Sequence, residues 1–171
     1  MVELEHTHNI LSELGLNTAS ELLEAKLEDA IHKNATYLSF LSELLEVELQ
    51  EKKRRSEERR IKLSKLPHRK TLEEFDFSFQ PSIDARQINE LSTLAFAARA
   101  ENVIFLGPPG VGKTHLAIGL GMQAIRFGMT VYYTSLAHLI EDLQKAAHQG
   151  KLERRWRVYT RPDILIIDEV G

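Results

Sequence analysis

Residues 107 to 114 read GPPGVGKT, and residues 164 to 169 read ILIIDE. The first stretch satisfies the spacing G-x-x-x-x-G-K-[ST] through Gly107, Gly112, Lys113 and Thr114. Glycines let the backbone curl until several N–H groups converge on one anion, and the lysine adds a full positive charge. The hydroxyl beside it offers a hard oxygen to a divalent cation. Together these groups suit a metal-bound polyphosphate. The second stretch ends four apolar residues with two acids, Asp168 and Glu169. One carboxylate can hold Mg²⁺ through its water shell while the other orients and deprotonates a water.

The candidate site follows residue by residue. Lys113 and Glu169 are the candidate catalytic groups, Lys113 for phosphate charge and Glu169 for water activation. Gly107, Pro108, Pro109, Gly110, Val111, Gly112, Lys113 and Thr114, with His115 directly after them, form the candidate nucleotide-binding stretch. Thr114 and Asp168 are the candidate Mg²⁺ ligands, and ATP is the expected nucleotide. For His115, one residue into the following helix, packing or solvent contact is favoured over catalysis.

Two other readings of these residues compete. A glycine-rich turn without a ligand would not need a strand before it and a helix after it, and an apolar strand ending in Asp-Glu is common without any function. Asp168 to Gly171 also spells D-x-x-G, a GTPase pattern. The acid directly after Asp168 and the Pro-Pro inside the loop favour an ATPase, and the chain has no guanine-reading Asn-Lys-x-Asp.

These motifs need a scaffold, and the periodicity supplies one. NVIFL before the loop reads as a short buried strand and THLAIGLGMQAIRFG as a helix ended by Gly128. TVYYTS, rich in β-branched and aromatic residues, reads as a strand. A helix from about Leu136 to His148, a charged stretch to Arg161 and the strand DILIID follow. IDARQINELSTLAFAAR, ahead of the loop, has a helical period. Strands alternating with helices imply a parallel α/β sheet in three layers.

The first third is different. Apolar residues from Leu22 to Leu49 recur at helical intervals with acids between them. Gly15 and Lys33–Thr36 break the pattern into a short helix, a second from about Thr18 to His32, and a third from about Thr36 into the 50s. The run KKRRSEERRIKLSK extends that third helix to Leu66, where Pro67 stops it. Thr71 followed by Glu74 fits a capping box, and Phe75, Phe77 and Phe79 alternate as an extended segment packed on one side. Core packing is the first reading of those rings, and the adenine side of a nucleotide site is the alternative. The expected domains are a helical region with a basic arm (1–66), a linker (67–80) and an ATPase portion (81–171).

Composition narrows the setting. The 171 residues are 43% apolar and contain no cysteine, which excludes disulfides and thiolate zinc sites. The start MVELEHTHN lacks a signal-peptide pattern, and a soluble, cytoplasmic protein is expected. A net charge of −3 conceals segregation. Residues 1–51 carry 11 acids and 2 bases, whereas residues 52–70 carry 10 bases and 2 acids. Lys52, Lys53, Arg54, Arg55, Arg59 and Arg60 are therefore candidates for contacts to a DNA backbone, weighed against a merely solvated helix face. Arg154, Arg155, Arg157 and Arg161 around Trp156 add to a DNA surface or simply pair with acids.

The sequence resembles the IstB-like ATP-binding proteins, transposition helper ATPases of insertion sequences related to the DnaC helicase loader within the AAA+ class. KTLEEFDFSFQPSID, ENVIFLGPPGVGKTHLAIGL, LERRWRVYTRPDILIIDEVG and the acidic helical start carry the likeness over nearly the whole chain. The resemblance implies an α/β P-loop NTPase fold of AAA+ type, preceded by an all-α region. It also implies an ATPase that forms a homo-oligomer on DNA and assists a transposase at its target site, with no membrane partner. Family members continue past the position of Gly171 with two more strands, a sensor residue and an arginine. One of those strands lies between the strand entering the phosphate loop and the strand ending at Asp168. The 171 residues alone are therefore expected to be poorly stable and weak or inactive in hydrolysis. A rival reading is a DNA-binding and protein-docking module with an inactive nucleotide site.

Overall fold

A computed structural model of the chain describes residues 2–78, 80 and 83–169. The chain divides into two compact units, Met1–Ser56 and Glu57–Gly171.

In the first unit, α1 (Val2–Glu13), α2 (Asn17–His32) and the start of α3 (Tyr37–Ser64) follow the expected helices closely. Their apolar residues close a small core of Ala19, Leu23 and Leu44, with Leu4, Leu11, Leu16, Leu27 and Phe40 packed around it. Glu48 is almost fully buried within this unit. It accepts the Ala19 N–H at 2.9 Å, near the start of α2, where the N-cap residue Leu16 supplies no side-chain cap. A carboxylate there satisfies a donor that the helix itself leaves open.

The second unit holds the parallel sheet. Strand β1 (Val131–Ser135) pairs in parallel with β2 (Ile164–Asp168), with Tyr133 opposite Ile166 and Ser135 opposite Asp168. Between them run α7 (Leu136–His148) and α8 (Leu152–Thr160), the crossover that parallel strands require. Ser135 closes the strand and caps α7 by accepting the His138 N–H.

Ahead of β1 lie α4 (Ala85–Ser92), α5 (Ala95–Ala98) and α6 (Lys113–Arg126). Helix α6 ends where Gly128 turns left-handed, with Gly128 and Met129 N–H groups returning to the carbonyls of Ile125 and Ala124. Ala124 and Ile125 of α6 join Leu94, Val131 and Ile166 in the core of this unit.

Four details differ from the sequence reading. The expected strand at 102–106 is not a strand, and Ile104 and Leu106 are 77% and 89% exposed. A short apolar run becomes a strand only where a neighbour offers its backbone, and neither described strand pairs with it. The helix expected over 83–99 is split, because Leu94 adopts a left-handed φ of 61°. The charged stretch before Arg161 is instead α8, seated through buried Tyr159, whose hydroxyl and neighbouring Arg155 both donate to Asp142 of α7. Phe75 directly follows one turn and Phe77 lies in the next, rather than both in an extended segment, with ring centroids 5.0 Å apart. Phe79 lies outside the described residues.

No helix among the described residues is long and apolar enough to cross a membrane.

Candidate nucleotide site

The loop before α6 is shaped by glycines. Gly110 and Gly112 sit at φ 82° and 92°, a region open to glycine and costly for other residues. Gly112 is the N-cap of α6, and no side chain caps that end. The N–H groups and dipole of the first turn are thus left for an external anion. Lys113 folds back over the loop, its Nζ donating to the carbonyls of Gly107 and Pro108, both at 2.8 Å. The ammonium is held at the mouth of the cradle.

Asp168 reaches this loop from the end of β2. Its Oδ2 accepts from Thr114 Oγ1 at 2.8 Å and from Tyr133 Oη at 2.9 Å, while Oδ1 accepts the Glu169 N–H at 3.0 Å. Partial burial pushes the Asp168 carboxyl upward, but these three donors and the Lys113 charge outweigh it and hold the group below the usual carboxylate range. Asp168 stays ionised. Burial, the Asp168 bond and the charges of Asp168 and Glu169 push the Tyr133 phenol up to about 12, so it remains a donor. Glu169, directly after the strand, is exposed and has a left-handed φ of 56°.

A third element closes the other side. The Thr71 N–H donates to Glu74 Oε2 at 2.8 Å, one half of the capping box. The turn that follows brings Phe75 so close that a Cβ on Gly112 would stand 2.5 Å from its ring. His115 Nε2 bonds the Thr71 carbonyl at 2.8 Å, and its ring meets Phe75 edge-to-face at 5.2 Å. His115 therefore packs, and it ties the segment to α6. Between them is a cavity of about 270 Å³ lined by His68, Lys70, Gly110, Gly112, Lys113, Thr114, His115 and Ile118.

Comparison with known proteins now decides the family. A family model described as IstB-like ATP binding protein matches residues 9–171. The chain belongs to that family. Among IstB-like relatives, a Geobacillus stearothermophilus protein of insertion sequence IS5376, named for ATP binding, is 49% identical over 98% of this chain. A Pseudomonas aeruginosa protein of IS21 is 46% identical over 95%, and a Bacillus thuringiensis subsp. berliner protein of IS232 is 35% identical over 94%. The chain spans 66%, 61% and 64% of the lengths of these three IstB-like relatives.

The glycine-rich loop and the acidic strand end, both explicit in the sequence, meet here across 54 positions. Tyr133, His68 and Lys70 join them without a signal in the sequence. Tyr133 is recognisable only once the pairing of β1 with β2 is known, and His68 and Lys70 only once the chain has turned back over α6. The D-x-x-G alternative depends on Gly171, which lies outside the described residues.

The basic arm divides into engaged and open positions. Arg54 is bonded to Glu51 at 2.6 and 2.8 Å. Arg55 reaches Glu48 at 3.1 Å and Thr18 at 3.2 Å, so it belongs to the fold of the helical unit. Lys52, Lys53 and Arg59 are exposed, and Arg60 is half-buried. In the second cluster Arg155 is committed to Asp142, while Trp156 is 52% exposed and Arg154, Arg157 and Arg161 are exposed beside it in sequence.

Proposed function

We propose that this chain binds ATP with Mg²⁺ at the loop of residues 107–115 and serves as the nucleotide-dependent helper of DNA transposition. The observation that carries the reading is the hydrogen bond from Thr114 to Asp168 at 2.8 Å, which joins the phosphate loop to the acidic end of β2. A hydroxyl and a carboxylate side by side are hard oxygen donors. With phosphate oxygens and water they match the usual surroundings of Mg²⁺, so these residues fit the metal. Magnesium bound there would neutralise charge on the β- and γ-phosphates.

The roles of the chain's own residues follow from their positions. The N–H groups of the first turn of α6 receive phosphate oxygens, and Lys113 leaves the carbonyls of Gly107 and Pro108 to pair with them. Thr114 and Asp168 hold the cation. Glu169 orients and deprotonates the attacking water from its place directly after β2. The cavity beside His68, Lys70 and Ile118 receives the nucleoside end, and Phe75 packs against His115 of its lining.

DNA and the transposase are the remaining partners. Exposed Lys52, Lys53 and Arg59 meet the DNA backbone, with Arg54 and Arg60 joining when a phosphate outcompetes their present neighbours. Phosphate release with and without DNA, measured for the wild type and for Lys113→Ala, tests this. Release that depends on Lys113 supports the helper reading. Equal release from both proteins overturns it in favour of a docking module.

A further inference from the structure

We propose that Tyr133 is a positioning residue for the cation-holding carboxylate, and that its hydroxyl sets the magnesium dependence of nucleotide binding. The inference rests on the Mg-ATP reading above. It starts from the strand register: Tyr133 stands opposite Ile166, two residues before Asp168. Alternate residues of a strand share a face, so Tyr133 and Asp168 project from the same side of the sheet, displaced by about 6.6 Å along it. A tyrosine lying along that face spans the offset, and its Oη reaches Asp168 Oδ2 at 2.9 Å.

The body and the tip of the side chain have separate tasks. The ring packs against the core cluster of Leu94, Val131 and Ile166, a task phenylalanine would perform equally well. The hydroxyl does something else, because a half-buried phenol needs a partner, and its partner here is the metal-binding acid. Asp168 Oδ2 is thereby held by two donors of different origin. Thr114 belongs to the first turn of α6, beside the nucleotide cradle, whereas Tyr133 belongs to the sheet. The tyrosine fixes the carboxylate independently of what Thr114 does when nucleotide enters. Groups that orient a metal ligand in this way typically change metal affinity by 10- to 100-fold when lost.

A ribose-labelled fluorescent ATP analogue, titrated in EDTA and over a series of free Mg²⁺ concentrations, tests the inference. Tyr133→Phe is expected to raise the Mg²⁺ concentration for half-maximal enhancement of binding about tenfold. Its affinity in EDTA and its melting temperature should stay close to wild type. In an Asp168→Ala background the same substitution should have no further effect on the magnesium series, since its target is gone. An unchanged magnesium midpoint, or an equal loss of affinity in EDTA and in magnesium, overturns the role of Tyr133. If the phenylalanine variant melts below the assay temperature, Tyr133→Leu, also apolar and lacking the hydroxyl, is held to the same outcomes. A wild-type chain that binds no analogue, or binds it independently of magnesium, overturns the underlying reading and this inference with it. A wild type that shows magnesium dependence and a variant with the same midpoint remove the tyrosine alone.

Discussion

Asp163 and Thr130 lock together immediately before the paired strands. One carboxylate oxygen of Asp163 accepts both the N–H and the hydroxyl of Thr130, each at 2.7 Å, and the Asp163 N–H returns to Thr130 Oγ1 at 3.0 Å. The next residues, Val131 and Ile164, are the first pair of the ladder. Because slipping one strand by a single residue would invert its faces, this clamp helps to bring Tyr133 and Asp168 to the same side.

Asp163→Ala should therefore destabilise the chain by about 0.5–1.5 kcal/mol, the net worth of a hydrogen bond, because the exposed Thr130 donors can turn to water instead. The pH dependence has a definite sign. The Thr130 N–H and hydroxyl hold the Asp163 carboxyl below its ordinary 3.8. A depressed carboxyl contributes stability that is present above pH 3.8 and disappears as pH falls through the lower, folded value. Urea denaturation at pH 7 and near pH 3 checks this: wild type and variant should differ at the first pH and converge toward the second.

Gly112→Ala should damage the site through two separate causes. The backbone there has φ 92°, and the new methyl would stand 2.5 Å from the Phe75 ring. A left-handed position costs an alanine about 1–2 kcal/mol before the clash is counted. The loss should exceed that figure in chemical denaturation. It should also lower affinity for a fluorescent ATP analogue more than tenfold, because the Gly112 N-cap and the 71–75 segment cannot both keep their places.

Neighbouring positions of the basic arm should respond differently to mutation. Arg55→Ala leaves buried Glu48 without its cation and should show mainly as a lower melting temperature. Lys52→Ala with Lys53→Ala should leave melting nearly unchanged and weaken duplex binding. The slope of log affinity against log salt should become shallower by about 0.9 per lysine removed. Fluorescence anisotropy on duplexes of unrelated sequence, at several salt concentrations, measures both effects.

The local signals were readable before the fold. Periodicity located α2 and α3, the break at Gly15 implied a short helix before them, the glycine after Phe127 located the end of α6, and the glycine-rich loop and acidic strand end were explicit in the residues. Each of those depends on neighbours close in sequence. The residues that escaped depend on tertiary partners. Tyr133 acquires its role only through the register with β2, and α8 was obscured because its charged residues mask the one buried contact that seats it, Tyr159. Residues 102–106 show the converse. Their apolar character is real, but strand formation is a property of a pair, and neither described strand pairs with them.

The backbone and side chains around Lys113 meet Asp168, and the proposed function requires that together they form a cradle for magnesium-bound triphosphate. Titration calorimetry of ATP into the folded chain, with magnesium and then with EDTA, tests this most directly. Binding should be saturable and strengthen with magnesium in the wild type, and fall at least tenfold in Lys113→Ala, as expected when a charged contact to phosphate is removed. No heat of binding from a folded wild-type sample with magnesium present, or equal binding by wild type and Lys113→Ala, would contradict it.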